Sequence, residues 1–330
     1  MYATAEGTTR YADRFAEYRD AAFYQSVFGL QISTLGIGTY IGGAEQADPA
    51  YIEALIAAGE SGINLFDTAI NYRGQRSERC IAAALRRLQR DEIVVCTKAG
   101  FLTPGAVPAF LKPEHVVGRM HSMAPDFLTD QIDRSRANLG VDTIDVFYLH
   151  NPETQLSFLS REEFDGRVRA AFARLERLAA AQRIRWYGAA TWDGFRMKGA
   201  LSLPRMVQLA VEECGPEHHF RFIQLPFNVG MVEAYVGTPE SVLQEASRLG
   251  MAVVASATLS QTQVLANMPA RLTELLPDMT NAQRAIQFTR STPGIAAALV
   301  GMGQPEHVRE NIGMAGAAPL SPEQYAGLYR

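Results

Sequence analysis

Short apolar runs bounded by turn residues alternate along this chain with longer stretches in which apolar positions recur three and four residues apart. The first pattern predicts buried strands and the second amphipathic helices. FYQSVFGLQIS, from Phe23 to Ser33, predicts a short hairpin, and TLGIGTYIGG follows as a strand entering a glycine-rich loop. A helix from about Pro49 to Gly59 then precedes the strand NLFDTA, and a helix from Ser77 to Arg90, with Ile81, Ala84, Leu85 and Leu88 on one face, precedes DEIVVCTK. The helix Leu128 to Leu139 stops at Gly140, as helices commonly do, and TIDVFYLHNP comes next. Helices over Glu162 to Gln182, Leu203 to Glu213, Glu240 to Leu249 and Ala282 to Thr289 alternate with the strands IRWYGAAT, FRFIQLPFN, MAVVASA and GIAAALVGM, and PEHVRENIG closes the series. Eight strands each followed by helical sequence predict an α/β protein, a (β/α)8 TIM barrel, as a single domain over residues 1–330.

Two stretches stand outside the alternation. Residues 1–22 are polar and charged and predict an arm that packs loosely or serves a subunit contact. Residues 99–127, with Pro104, Pro108, Pro113 and Pro125 and with His115 and His121, are too long for an ordinary strand-to-helix loop. Following the strand that ends at Lys98, they would rise over one face of the barrel as a lid or substrate wall.

Composition narrows the classes. Of 330 residues 47% are hydrophobic and 20% charged, with net charge −4, as expected for a soluble protein with a sizeable core. Scattered Lys and Arg in a slightly acidic chain argue against nucleic acid and anionic membranes as partners, since both require clustered positive charge. Cys80, Cys96 and Cys214 are too few and too dispersed for a disulfide framework or a zinc site, which points to the cytoplasm. Cys96, inside an apolar run, is expected to be a small buried residue. No stretch stays apolar for the ~20 residues of a membrane span, and the first twenty residues lack the apolar core of a secretion signal. No metal site is expected: His115, His121 and His150 show no ligand spacing, and His218 and His219 fall in a polar loop.

The chemistry concentrates at strand ends. Asp67 closes one run and Tyr72 follows in the loop, Lys98 ends the next strand, and His150 ends the one after. In a barrel all four then stand at the carboxyl ends of strands, on the face that carries catalysis. No GxGxxG opens a helix with an acid about 20 residues on, so the dinucleotide fingerprint of a doubly wound fold is missing. A cationic Lys beside a Tyr favours the phenolate and lowers the phenol's pKa, and an acid can hold the ammonium in place.

LGIGT, GINLFDTAINY with RSE soon after, VVCTK and YLHNP, in that order and spacing, resemble the aldo-keto reductases along nearly the whole chain. The resemblance implies catalysis by Asp67, Tyr72, Lys98 and His150, with a nicotinamide cofactor, NADP or alternatively NAD, lying across the strand ends. It implies cofactor contacts from Gly38, Thr39, Thr191, Gln224 (at the carboxamide), Ser256, Gly301, Met302, Gly303 and His307, and from Glu310 and Asn311 at the adenine. Tyr40, His121, Trp192 and Asn228 are the implied substrate contacts. Three departures from the family pattern stand out. Ala190 and Thr191 replace a Ser-Asn pair, Ala255 stands where an aromatic stacks on the nicotinamide, and Gly301 and His307 replace the Lys and Arg aimed at the 2′-phosphate. The implied activity is interconversion of a carbonyl (an aldehyde, ketone or sugar) and an alcohol. Two alternatives stay open on the same barrel: a cofactor-binding regulatory or interaction protein, and a lyase or isomerase using the retained tetrad.

Overall fold

The computed structural model describes residues 1–40, 47–197 and 199–329, so Gly42 and Gly43 of the expected glycine-rich loop lie outside the described residues. The chain opens with helices α1 (Ala5–Asp13) and α2 (Ala16–Arg19), then the antiparallel strands β1 (Tyr24–Val27) and β2 (Leu30–Ser33). The tight turn between these strands holds Phe28 at φ 47° and Gly29 at φ 83°. Positive φ at both turn positions matches the right-handed twist of a hairpin. Phe28 tolerates that conformation with its ring packed on Trp186 and Phe222, at centroid distances of 5.7 and 5.3 Å.

The alternation follows: β3 (Leu35–Gly38), α3 (Asp48–Glu60), β4 (Leu65–Asp67), α4 (Arg76–Leu85), β5 (Val94–Ala99), α5 (Pro125–Leu139), β6 (Ile144–His150), α6 (Arg161–Ala180), β7 (Ile184–Ala190), α7 (Leu203–Cys214) and β8 (Phe220–Pro226). Then come α8 (Glu233–Val236), α9 (Val242–Arg248), β9 (Ala252–Ser256), α10 (Ala270–Leu275), α11 (Asn281–Arg290), β10 (Ile295–Gly301), α12 (Pro305–Ile312) and α13 (Pro322–Ala326). The strands close into one parallel barrel in the order β10-β3-β4-β5-β6-β7-β8-β9. The eight predicted strands are the eight staves.

Side chains alternate across each strand, so the barrel has two apolar layers. Leu65, Val94, Cys96, Val146, Tyr148, Trp186, Phe222, Val254, Ala297 and Leu299 fill the interior, joined from below by Val27, Leu30 and Ile32 of the hairpin. The opposite faces of the strands pack on the helices, with Phe66, Val95, Phe147, Tyr187 and Ile223 among the buried residues. Cys96 is therefore interior packing, and burial pushes its thiol well above the ordinary range.

Two expectations are corrected here. The first residues are not loose: Tyr11 is buried and donates to Gly59 O at 2.7 Å, Ala3 N donates to Asp145 at 2.8 Å, and Arg10 and Arg14 both reach Glu92. An amphipathic first helix gives this segment an apolar face to bury. Helix α4 ends at Leu85 rather than Arg90: Arg87 N turns to Ala84 O at 2.9 Å, tightening the last turn, and the Arg90 guanidinium reaches Ile93 O, Thr143 O and Asp145 at the start of neighbouring strands. No helix among the described residues is long and apolar enough to cross a membrane.

Candidate active site

Register puts the four titratable side chains on one rim. Gly38 pairs with Asp67, Asp67 with Cys96, Lys98 with Tyr148, and His150 with Ala190, so the ends of β3 to β7 lie side by side. Lys98 is buried, and its Nζ donates to Asp67 Oδ1 at 2.5 Å and to Thr68 O at 2.8 Å. The second carboxylate oxygen of Asp67 accepts from Gln224 Nε2 at 2.9 Å. Burial opposes the ammonium, yet Asp67 and Tyr72 outweigh it and raise the Lys98 pKa. The lysine is a fixed cation held from two sides.

Lys98 Nζ lies 5.1 Å from the centroid of the Tyr72 ring, with the His150 ring edge-on to the tyrosine at 5.8 Å and the Tyr40 ring at 5.0 Å. Here one expectation changes. Lys98 does pull the Tyr72 pKa down, but burial is the larger effect and the net direction is up. The phenol accordingly holds its proton through neutral pH. His150 moves the other way: burial first, then Lys98 and His121, drop its pKa well below 6.5, so its imidazole is neutral. Its Nδ1 is buried, with no hydrogen-bond partner among the described residues.

Several residues implied as ligand contacts are committed elsewhere. His121 is fully buried; its Nε2 lies 2.7 Å from His150 O and its Nδ1 3.1 Å from Gln155 Nε2. Both ring nitrogens are engaged within the protein, and the side chain presents no exposed surface. Asn228, 1% exposed, donates to Ala257 O at 2.8 Å and accepts from Gly230 N at 2.8 Å, so it shapes the turn after β8. Met302 keeps its side chain in the core, and buried Thr39 spends its hydroxyl on Asp67 O. In contrast Tyr40 and Trp192 are 60% and 48% exposed on the rim, and Gly38 and Ser256 are half-buried at their strand ends. Gly301, His307 and Glu310 are exposed, Gly303 is half-buried, and Asn311 is buried, its Oδ1 without a partner among the described residues. Thr191, just past the end of β7, is also buried, its hydroxyl without a partner among the described residues. His218 is buried rather than solvated, and His219 pairs with Glu176.

Sequence reading passed over two residues of the turn after β6. Glu153 accepts hydrogen bonds from the backbone N–H groups of Trp192, Asp193 and Gly194 at 2.8 to 3.3 Å, which sets the loop that carries Trp192. Gln155 braces His121. Their only signal was a pair of polar side chains just beyond YLHNP, and no periodicity marks them.

A closed parallel barrel with an Asp-Lys pair, a tyrosine and a neutral histidine on its carboxyl rim defines a (β/α)8 protein with a cluster of titratable groups at its mouth. Residues 34–329 match the model of the aldo/keto reductase family, and the chain belongs to it. It is 35% identical over 164 residues to a Pseudomonas D-threo-aldose 1-dehydrogenase, and 30% identical over 177 residues to the NADH-specific methylglyoxal reductase of Escherichia coli. These matches cover 46% and 50% of this chain, and the chain spans only about half the length of each relative, 48% and 50%. A third relative, the uncharacterized oxidoreductase YqkF of Bacillus subtilis, is 25% identical over 314 residues, 91% of this chain and 92% of its own. Among solved structures, a thermostable aldo-keto reductase bound to epalrestat superposes with TM-score 0.70 at 20% identity, covering 92% of this chain and 98% of that one. An aldo/keto reductase from Klebsiella pneumoniae, in complex with NADP and acetate, gives 0.68 at 20% identity over 92% and 94%. At such identity these two likenesses speak for the fold alone.

Proposed function

We propose that this protein is a nicotinamide-dependent oxidoreductase interconverting a carbonyl and an alcohol, with Tyr72 as the acid-base group. The observation that carries the reading is the buried Lys98–Asp67 pair beside a half-buried Tyr72 and a neutral His150. In this family setting, the groups left without partners suit the cofactor. A carboxamide offers both donors and an acceptor, and the Thr191 hydroxyl has no partner among the described residues. Gln224 has one end on Asp67, while its Oε1 accepts no hydrogen bond among the described residues. The unpartnered Asn311 Oδ1, with exposed Glu310 and His307, suits the adenosine end, and Gly301 and Gly303 present backbone without side chains. Ala255 is fully buried and supplies no ring for stacking.

The cofactor supplies the hydride, and the chain supplies the proton and the orientation. Tyr72 keeps its proton at neutral pH and gives it to the carbonyl oxygen as charge develops there. Lys98, unable to lose its own proton, stabilises the phenolate that results, and Asp67 with Thr68 O keeps the ammonium in place. Neutral His150 orients the substrate by a hydrogen bond to the same oxygen. Tyr40 and Trp192 form the outer wall, with residues 99–127 as the wall beside β5. The whole chain acts as one barrel unit on a small carbonyl or alcohol in the cytoplasm.

We assign NADP as cofactor, with NAD as the competitor. One relative is named as NADH-specific and one fold neighbour was solved with NADP. Gly301 and His307 give the 2′-phosphate no Arg or Lys, the residue types that bind phosphate best. Titration with NADPH and separately with NADH, followed by nicotinamide emission, tests the assignment. Tight binding of either supports the function and the tighter one names the cofactor; failure of both at hundreds of micromolar removes the reductase reading.

A further inference from the structure

Strand β6 ends at its most important residue. Backbone pairing with β5 stops at Ala99 opposite Leu149, one step before His150, because β5 turns away at Gly100. The His150 carbonyl has therefore lost its neighbour on that side, and His121 meets it instead, Nε2 to O, at 2.7 Å. Space for this exists only because position 100 is glycine: a Cβ there would stand 2.5 Å from His121 Nε2 and 2.6 Å from His150 O.

Which nitrogen of His121 carries the proton follows from its neighbours. Arg167 can only donate, and it lies 3.3 Å from Gln155 Oε1. That turns the Gln155 amide so that its Nε2–H faces His121 Nδ1 at 3.1 Å. Nδ1 must then accept, which leaves the proton on Nε2, pointing at the His150 carbonyl. The Phe101 ring adds a second hold, edge-on to both His121 and His150 at 5.2 and 5.1 Å. His150 needs such support, since among the described residues its own Nδ1 makes no hydrogen bond that would fix the ring.

We propose that His121 is a positioning residue for the reaction, its tautomer set by Arg167 through Gln155, so that its side chain extends the β5–β6 ladder by one step and fixes where His150 stands. This rests on His150 being a tetrad member. The chain of donors runs from a partly exposed arginine on α6, through the turn after β6, to the loop after β5.

The test combines ¹⁵N NMR of the histidine rings with steady-state kinetics. In the wild type, the His121 ring should show the Nε2–H tautomer. His121→Phe, which fills the space without a donor, should lower kcat about tenfold to a hundredfold, as small misplacements of catalytic groups do. The dissociation constant for NAD(P)H should stay within about twofold, since no implied cofactor contact is touched. His121→Gln, which retains a donor, should recover part of the loss. Arg167→Met leaves the core intact and serves if the buried variant fails to fold; it should shift His121 toward mixed tautomers and lower kcat severalfold. An Nδ1–H tautomer in the wild type, or an unchanged kcat in both His121→Phe and Arg167→Met, would overturn the proposal. Absence of carbonyl turnover in the wild type would instead sink the reductase reading, and the tautomer result would still decide the donor chain.

Discussion

At the scale of single residues, Lys98 has two anionic or carbonyl oxygens within hydrogen-bond reach and almost no exposure, so it is a cation by construction. Removing one member of a buried ion pair strands the other, at a cost of about 3–5 kcal/mol. Asp67→Asn and Lys98→Met should therefore both lower the denaturation midpoint as well as the turnover, and Lys98→Met should in addition move the pH profile. Alcohol oxidation needs the Tyr72 phenolate, and burial has already raised that pKa. Losing Lys98 removes the charge that pulls it down, so the rise of the oxidation rate with pH should move to higher pH in Lys98→Met. An unmoved limb in kcat/KM would show that Tyr72 is not the group titrating.

Among the elements, the loops of the carboxyl rim are tied to one another more firmly than an inserted lid would be. Gln131 holds Ala106 O at 2.7 Å, Leu102 N meets Met120 O at 2.7 Å, and Phe158 packs where any side chain at Gly118 would have to stand. Excising residues 103–120 would therefore cost stability along with any substrate wall. A milder change separates the two. Val107 and Phe110 are exposed on this segment, and replacing both with Ser should raise the KM of an apolar carbonyl while leaving the NAD(P)H dissociation constant unchanged; an equal rise in both would remove residues 99–127 from the substrate side. The same scale explains what was readable in the sequence. Strand ends announce themselves by an apolar run stopping at a polar residue, which is how Asp67, Lys98 and His150 were found. His121 could be seen as a histidine in a loop, but its partners Gln155 and Arg167 are 34 and 12 positions from the residues they brace, and no local pattern encodes that distance.

Across the whole molecule, stability is coupled to the neutral histidines behind and within the site. His121 has a pKa lowered to about 4 by burial, and His150 is also well below 6.5. Between about pH 6.5 and 4 the unfolded chain takes up protons that the folded chain refuses. Stability is thus complete above that window and falls as pH drops through it, by roughly 3 kcal/mol for His121 alone. Denaturant midpoints measured across this range should show the fall, and His121→Phe should reduce it, leaving the part due to His150. At the other end of the barrel, buried Arg290 donates to Ala21 O, Ala22 O, Ala317 O and Thr34, tying the first residues and the last to the barrel. Arg290→Leu should lower stability by several kcal/mol through the unpaired carbonyls while leaving the cofactor affinity alone.

The central claim is that Tyr72 moves the proton. Its most direct measurement is turnover of Tyr72→Phe with the cofactor that binds and a carbonyl the wild type reduces, alongside a cofactor titration of the same variant. A loss of about 10² to 10⁴ in kcat with the cofactor dissociation constant unchanged is the predicted result. Turnover within a few-fold of the wild type would contradict it, and the proton would have to come from another group.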